Sequence, residues 1–247
     1  MIAIERPRLA PPGPADHKYS RGLVAIVAGD MPGAAALATM GAARGGAGYV
    51  QLVAPERIPG LPFAVVQRKA ADLTDERIGA IVVGPGLGGA DAIPALTANR
   101  PLVVDAEALM AFERTPTMAH GVPAILTPHE GEFSRRWPHL GGSREERAAA
   151  AARRAGAVVL LKGARTVVAA PDGRVAVAAD APHALATAGT GDVLAGVCGA
   201  MIAQLRDPFL AAQAAVWLHA EAARLTPAPF IADDVLAHLP AAVRSCW

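Results

Sequence analysis

Short, uniformly apolar runs recur along the chain and alternate with alanine-rich stretches. Such runs are typical of strands buried on both faces, as in a parallel sheet covered by helices, and glycine and proline residues mark their ends. The alternation predicts successive βαβ units and therefore a three-layer α/β/α sandwich with a mostly parallel central sheet. The predicted strands are residues 23–28, 49–54, 63–67, 80–83, 102–104, 124–126 and 158–161.

Two further apolar runs predict an antiparallel edge to this sheet. Residues 166–170 and 174–178 flank Pro171-Asp172-Gly173, a turn sequence of the kind that joins two antiparallel strands. The sheet is therefore expected to combine parallel strands with one antiparallel edge.

Helical patterns dominate the last third of the chain. From Thr190 the apolar residues recur at the helical period, and similar patterns cover residues 209–225 and 232–239. Because no repeat or low-complexity linker divides the chain, we predict one domain over residues 17–247, preceded by a proline-rich lead over residues 1–16.

Composition excludes several classes of protein. The chain has 247 residues, and its longest nearly uninterrupted apolar stretch, residues 193–203, is shorter than the ~18 residues that cross a membrane. No apolar leader follows Met1, and two cysteines form no disulfide framework, so a cytoplasmic protein is expected. A net charge of +1 and 4% aromatic residues provide neither the basic surface nor the stacking platform of nucleic-acid-binding proteins, so small-molecule partners are expected.

The first candidate site is the sequence Ala-Gly-Thr-Gly-Asp at residues 188–192, immediately before the long helix. Gly189 and Gly191 let backbone N–H groups approach a ligand, and the helix N-terminus adds partial positive charge, which predicts an anion-binding site. Asp192 lies in the first turn, where its carboxylate could reach a reacting hydroxyl. Capping of the helix by Thr190 or Asp192 is the alternative interpretation.

The second candidate site begins at Lys162, at the end of the predicted strand 158–161. Only three of the 23 basic residues are lysines, and ligands of open α/β sheets bind at the carboxyl ends of the strands. The compact ammonium of Lys162 suits a phosphate oxygen. A surface lysine with its ammonium in water is the alternative.

The third candidate site is Thr-Pro-His-Glu-Gly-Glu at residues 127–132. His129 and Glu132 lie three residues apart and face the same way on the first turn of a helix. Glu132 could bind Mg²⁺ through water beside nucleotide phosphates, and His129 could orient a substrate, whereas the spacing fits no tetrahedral zinc site. Helix capping is again the alternative.

Glycine-rich turns at residues 29–35 and 84–89 follow two further strands. The second turn satisfies G-x-G-x-x-G, but the dinucleotide fingerprint belongs on the first strand and has an acid about 20 residues later, so we reject that interpretation. Asp105 is another acid at a strand end. Cys198, within the long helix, is expected to be an inert core residue.

In this order, the motifs resemble those of the ADP-dependent NAD(P)H-hydrate dehydratases of the ribokinase-like superfamily, over residues 17–221. Two positions depart from the family pattern. Glu130 stands where proline is usual, and Ala188 stands where glycine is usual, so a left-handed backbone at Ala188 would be strained. The matching pieces are His17-Lys18, Gly22, residues 31–35, 84–88, 105–106, 127–129, 131–132 and 162–163, Thr166 and residues 189–192.

The resemblance implies a ribokinase-like fold and the repair of a damaged cofactor. The hydrated nicotinamide ring of (6S)-NADHX or NADPHX would lose water at the expense of ADP, giving NADH or NADPH with AMP and phosphate. ADP would be the co-substrate and Mg²⁺ the cofactor. The resemblance is compatible with a homo-oligomer, and we expect epimerase activity to come from a separate protein, because the N-terminal epimerase domain of many relatives is not in this sequence.

The resemblance also implies roles for individual residues. Asp192 would be the catalytic base, and Glu132 would support Mg²⁺. The implied anion hole is Gly189, Thr190 and Gly191. The implied nucleotide-binding residues are Lys162, Gly163, Ala164, Arg165, Thr166 and Gly191. The implied substrate-binding residues are Ala35, Gly86, His129 and Asp192.

Two alternatives to this function remain open. A small-molecule kinase of the same superfamily, acting on a vitamin-precursor alcohol, would use the same glycine-aspartate anion hole, although residues 31–35 and 127–132 favour the dehydratase. A non-catalytic nucleotide-binding protein is the other alternative, and the presence of both Asp192 and Lys162 argues against it.

Overall fold

A sheet of ten strands forms the middle layer in this computed structural model, which describes residues 1–112 and 121–247. The strands are β1 (Ile2–Ala3), β2 (Leu23–Val27), β3 (Tyr49–Val53), β4 (Val66–Arg68), β5 (Ile78–Val83), β6 (Leu102–Val104), β7 (Ala124–Leu126), β8 (Val158–Leu161), β9 (Thr166–Ala169) and β10 (Val175–Ala178). Their order across the sheet is β1-β10-β9-β8-β7-β6-β5-β2-β3-β4. The neighbours from β8 to β4 pair in parallel, whereas β9 pairs antiparallel with β8 and β10, which confirms the predicted sheet.

Helices cover both faces of the sheet. They are α1 (Pro32–Arg44), α2 (Ile93–Leu96), α3 (Ala108–Phe112), α4 (Glu130–Arg136), α5 (Arg144–Ala155), α6 (Thr190–Leu205), α7 (Pro208–Leu225) and α8 (Ala232–Ser245). Side chains alternate across each strand, so Val24 and Ile26 of β2 join the apolar cluster of α1, α6, α7 and α8. Leu23 and Ala25 join the opposite cluster, which contains α2 to α5. The three-layer sandwich is thus confirmed.

None of the helices in the described residues combines the length and the apolar character that a membrane crossing takes.

Two predicted boundaries differ from the structure by three or more residues, and one short strand was not predicted. The strand predicted at residues 63–67 begins only at Val66, because the Val65 N–H bonds to the Pro62 carbonyl in a turn and Phe63 is fully exposed. The helix predicted to end at 239 continues through Pro240 to Ser245, since burial of Ala242 and Val243 anchors its last turn. The two-residue strand β1 was not predicted, because it is too short for any alternation to be visible.

The N-terminal lead pairs with the sheet and packs into the core. Ile2 and Ala3 pair in parallel with β10. Leu9 is buried in the core, and its N–H donates to the Cys246 carbonyl at 2.9 Å. The boundary between residues 16 and 17 stays a prediction.

Candidate active site

The loops that follow β5, β6, β7 and β8 lie side by side at one edge of the sheet, because these strands are parallel neighbours. They contain Gly86, Asp105, His129 and Lys162, respectively. The N-terminus of α6 lies beside them, since a Cβ added to Gly191 would be 3.5 Å from Lys162 Nζ. Motifs that are far apart in sequence therefore meet at the carboxyl end of the sheet, where ligands of this architecture bind.

A buried ion pair joins Lys162 to Asp105. Lys162 Nζ donates to Asp105 Oδ1 at 2.7 Å, and the two side chains are 17% and 3% exposed. Burial by itself would lower the pKa of Lys162, but the attraction of Asp105, reinforced by Glu132 and Asp192, raises it. Lys162 is therefore a charged, desolvated group, and the alternative of a surface lysine with its ammonium in water is wrong.

Asp192 lies on the first turn of α6 without a hydrogen-bond partner among the residues that the structure describes. Burial raises the pKa of its carboxyl to about 6, and repulsion from Asp105 adds to the rise while Lys162 opposes it. A carboxylate that titrates near neutrality and is not engaged within the protein can serve as a general base. Capping by Asp192, the alternative interpretation, does not occur.

The first N–H groups of α6 are available to a ligand. In the described part of the chain, the backbone N–H groups of Thr190, Gly191 and Asp192 donate to no protein acceptor. The Thr190 hydroxyl does not cap the helix, because it donates to the carbonyls of Leu185 at 2.9 Å and Thr187 at 3.0 Å. Unpaired N–H groups and the helix dipole together form the kind of terminus that binds anions.

Gly189 carries the unusual backbone conformation of this loop. Its φ is +85°, and a Cβ there would be 2.5 Å from Leu37 Cδ1. Ala188 is not among the non-glycine residues with positive φ in the described chain, so its methyl group causes no backbone strain.

His129 and Glu132 form a capping box at the start of α4. His129 Nδ1 accepts hydrogen bonds from the N–H groups of Gly131 at 3.0 Å and Glu132 at 3.4 Å. Glu132 Oε2 in turn accepts from the His129 N–H at 2.8 Å. The capping interpretation is correct for both residues, but it does not exclude ligand contacts, since the His129 side chain is 54% exposed.

Several carboxylates act on one another at the start of α6 and could bind a hydrated cation. Asp105 and Glu132 both contribute to the raised pKa of Asp192, so their charges act on the same small region. No group of three or more metal-ligating side chains occurs in residues 1–112 and 121–247. Because Mg²⁺ usually takes one or two carboxylates plus phosphate and water oxygens, these residues fit a nucleotide-bound Mg²⁺ better than a protein-only site.

The turn after Lys162 is closed by a side chain. The Thr166 hydroxyl donates to the Gly163 carbonyl at 2.8 Å and accepts from the Gly163 N–H at 3.3 Å. Arg165 points elsewhere, because its guanidinium pairs with Glu145 at 2.7 Å. Of the five predicted nucleotide-binding residues in this turn, Arg165 is the one that the structure does not bring to the neighbouring cavity.

A cavity of about 230 Å³ lies between this turn and the start of α6, and its walls are mostly apolar. Apolar walls of this kind can take the base of a nucleotide. The lining residues are Lys162, Gly163, Ala164, Thr166, Ala181, Pro182, His183, Leu185, Ala186, Thr190, Gly191, Leu194, Val216, His219 and Ala220.

His219 is a polar residue of this cavity to which the sequence interpretation gave no role. It is 7% exposed, its ring bonds to the Thr190 backbone, and Nε2 has no partner among the described residues. Burial lowers the pKa of His219 to about 4, so the imidazole is neutral and offers an unpaired nitrogen to a ligand. A single histidine in an apolar helix resembles a core residue, and only the cavity distinguishes it.

Ala35 and Gly86, the other predicted substrate-binding residues, lie next to each other. The Met31 N–H donates to the Gly86 carbonyl at 3.1 Å, and a Cβ on Gly86 would be 2.9 Å from the Ala35 nitrogen. A Cβ added to Gly189 would be 2.5 Å from Leu37 Cδ1, so α1, which contains Ala35, packs beside the N-terminus of α6.

Cys198 is a core residue, as predicted. It is fully buried in α6, and burial raises the pKa of its thiol, so the thiol stays protonated and unreactive.

Comparison with known proteins connects this geometry to one family. A model of the NAD(P)H-hydrate dehydratase family matches residues 24–242. The ADP-dependent (S)-NAD(P)H-hydrate dehydratase of Bacillus subtilis (strain 168) is 39% identical over 90% of this chain and 87% of its own length. A bifunctional NAD(P)H-hydrate repair enzyme of Gloeobacter violaceus is 42% identical over 83% of this chain but 45% of its own length, so the chain spans about half of that relative.

A solved structure gives the same result at the level of the fold. The crystal structure of the ADP/ATP-dependent NAD(P)H-hydrate dehydratase from Bacillus subtilis, co-crystallised with ATP and Mg²⁺, superposes with a TM-score of 0.80 at 32% identity and covers 97% of this chain and 95% of that one. A ribokinase-like superfamily protein from Enterococcus faecalis V583 superposes with a TM-score of 0.77 at 22% identity and covers 96% of this chain and 91% of that one, which confirms the ribokinase-like fold. The chain therefore belongs to the NAD(P)H-hydrate dehydratase family.

Proposed function

We propose that the protein is an ADP-dependent dehydratase that converts (6S)-NADHX and NADPHX into NADH and NADPH with release of AMP and phosphate. Membership of the family supports this reaction class. The observation that carries the proposal is the unpartnered Asp192 carboxylate, with its pKa raised to about 6, next to unpaired N–H groups of α6. The kinase and the non-catalytic alternatives are not favoured by the relatives.

The proposed chemistry makes a poor leaving group into a good one. Asp192 takes the proton of the ring hydroxyl, and the oxygen attacks the β-phosphorus of ADP, so AMP leaves. The lone pair of the ring nitrogen then breaks the C–O bond of the resulting phosphate ester, so phosphate leaves and a ring iminium forms. Loss of a proton from the adjacent ring carbon, to the departing phosphate or to water, restores the dihydropyridine ring. The N–H groups of Thr190 and Gly191 stabilise the charge on the transferred phosphoryl group.

Lys162 provides fixed positive charge at the same place. One of its three N–H groups is used by Asp105, which leaves two that can bind phosphate oxygens. Because Asp105 holds the ammonium, the charge is positioned before the nucleotide arrives and little reorganisation is needed. Gly163, Ala164 and Thr166 line the adjoining cavity, which would take the base of ADP.

Glu132 would hold Mg²⁺ through water, together with phosphate oxygens of the nucleotide. When bound, the ion would neutralise charge on the phosphates. The hydrated nicotinamide would contact Ala35, Gly86, His129 and Asp192. A homo-oligomeric state and a separate source of epimerase activity stay predictions.

Product analysis tests this proposal. Purified protein is incubated with NADHX, ADP and Mg²⁺, while absorbance at the reduced-nicotinamide band and release of AMP and phosphate are followed. We expect equimolar NADH, AMP and phosphate, and a loss of turnover of about 10²- to 10⁴-fold in Asp192→Asn at unchanged folding. A phosphorylated alcohol as the accumulating product would support the kinase, and ADP binding without AMP release would support the non-catalytic protein.

A further inference from the structure

Arg144, the first residue of α5, connects two loops of the candidate active site. Its Nη1 donates to Glu130 Oε2 at 2.6 Å, next to the capping box. Its Nη2 donates to the carbonyl oxygens of Lys162 at 2.5 Å and Leu161 at 3.3 Å. One guanidinium thus joins the loop after β7 to the loop after β8.

The position of Arg144 is not explained by the stability of α5. A cation at a helix N-terminus opposes the helix dipole, and Ser143 already caps this helix with a hydrogen bond to the Glu146 N–H. In addition, the buried Nε of Arg144 has no hydrogen-bond partner in the described residues, which is unfavourable. A residue that is unfavourable for its own helix in these two respects is expected to have a role outside the helix.

Glu130 holds the guanidinium in place. Its carboxylate also pairs with Arg147, whose guanidinium lies 5.1 Å from the centre of the Phe133 ring. Burial would raise the pKa of Glu130, but Arg147 and Arg144 lower it overall, so the carboxylate stays charged. The residue that departs from the family pattern is therefore part of a fixed network.

The network acts directly on the turn that is proposed to bind the nucleotide. A Cβ added to Gly163 would be 2.7 Å from Arg144 Nη2, so the guanidinium fills the space beside Gly163. The Lys162 N–H donates to the Pro128 carbonyl at 2.8 Å, so the backbone is also held on the N-terminal side of Lys162. With Thr166 closing the turn, Arg144 is the contact that orients the Lys162 carbonyl.

We propose that Arg144, held by Glu130, is a positioning residue that sets the backbone of the Lys162-Gly163 turn for binding the phosphates of a nucleoside diphosphate. This inference rests on the proposed function. Without the guanidinium, the Lys162 carbonyl loses its hydrogen bond, and the peptide between Lys162 and Gly163 is held by the longer bond from the Gly163 N–H to Thr166 at 3.3 Å. The turn and the Lys162 ammonium are then less firmly positioned. The planar guanidinium of arginine binds Glu130 through one nitrogen and the Lys162 carbonyl through another. A lysine at this position has a single ammonium and cannot bind both groups in the same geometry.

The test compares Arg144→Ala, Arg144→Lys and Glu130→Gln with Arg153→Ala, an exposed arginine in the last turn of the same helix. Calorimetry gives the Kd for Mg²⁺-ADP, and initial rates give KM for ADP and for NADHX. We expect both Arg144 variants to raise the Kd and KM for ADP about tenfold, Glu130→Gln to raise them about threefold, and KM for NADHX to stay within twofold. Added guanidinium ion is expected to restore part of the ADP affinity of Arg144→Ala, and Arg153→Ala to resemble the wild type.

The outcomes separate this inference from the proposed function. If the wild type does not bind Mg²⁺-ADP, the proposed function is wrong. If the wild type binds it and folded Arg144 variants bind it equally well, or lose ADP and NADHX affinity together in proportion to a lower Tm, the inference is wrong. Should Arg144→Ala fail to fold, Arg144→Lys and Glu130→Gln decide by the same criteria.

Discussion

The ammonium of Lys162 lies 2.7 Å from the carboxylate of Asp105, although β7 separates the strands that precede these residues. Both charges of the pair act on the nearby carboxyl of Asp192. Asp105 therefore acts on two groups at once, since it fixes the ammonium and raises the pKa of the proposed base. The charges of the site form one coupled set.

The pH dependence of turnover follows from the state of Asp192. Its carboxyl must be deprotonated to accept a proton, so kcat/KM is expected to rise with pH and level off above about 6. In Asp105→Asn one source of repulsion is lost, so the acidic limb is expected to move to lower pH by up to about one unit. A pH-rate profile of both proteins measures this, and a limb that stays in place in the variant would contradict the coupling.

Asp192→Asn is expected to stabilise the fold while it removes activity. The folded protein binds the Asp192 proton more tightly than the unfolded chain does, so the contribution of this group to stability is present below pH 3.8 and lost as pH rises through about 6. Asparagine avoids this loss. We expect an increase in the free energy of unfolding of roughly 1 to 2 kcal/mol at pH 8, a discounted figure because the carboxylate is partly solvated. Urea unfolding at pH 8 and pH 4 measures it, and an equal effect at both values would refute the explanation.

Gly189→Ala is expected to damage both the fold and the anion-binding terminus. A side chain there meets a φ of +85° and a Cβ position 2.5 Å from Leu37. We expect a loss of about 1 to 3 kcal/mol in the free energy of unfolding and weaker ADP binding. Gly141→Ala is the matched control, because no atom lies within 4 Å of its added Cβ. Comparable losses in the two variants would show that the left-handed conformation is not the cause.

His219 is expected to make the protein sensitive to acid. Its pKa falls from 6.5 in the unfolded chain to about 4 in the fold, so the stability that the neutral ring provides is present above pH 6.5 and lost as pH falls through 4. His219→Leu is expected to remove up to about 3 kcal/mol of this pH dependence and to raise KM for ADP. Denaturant unfolding between pH 7 and pH 4 tests the first effect, and a variant as acid-sensitive as the wild type would contradict it.

The sequence predicts the parallel sheet well where the strands are buried on both faces. Strands β6, β7 and β8 have the predicted bounds. Each is a short apolar run between turn residues, and burial inside the sheet removes all of its side chains from water. Phe63 shows the limit of that argument, since an apolar residue in a turn looks the same in sequence as one in a strand. Pro240 shows another, because tertiary burial of the last turn outweighs a proline inside a helix.

Candidate site residues can be predicted from sequence where they follow the ends of strands. The side chains or carbonyls that they pair with cannot, when those groups are distant in sequence. Lys162 and Asp192 follow from the position of glycine-rich loops after strands. The pairing of Lys162 with Asp105 spans 57 residues, and no local pattern encodes it. Arg144 is hidden for a similar reason, since one arginine in a charged helix start is indistinguishable from a solvated one until its carbonyl partners are known.

The first residues of the chain protect a sheet edge. Ile2 and Ala3 pair with β10, so backbone N–H and carbonyl groups of β10 form hydrogen bonds within the protein. Without this pairing, the same groups could bond to another molecule. An open edge strand is a template for association between chains. Trimming the protein from its beginning would therefore favour aggregation, and an affinity tag or fused partner at that end must leave the first strand free to pair.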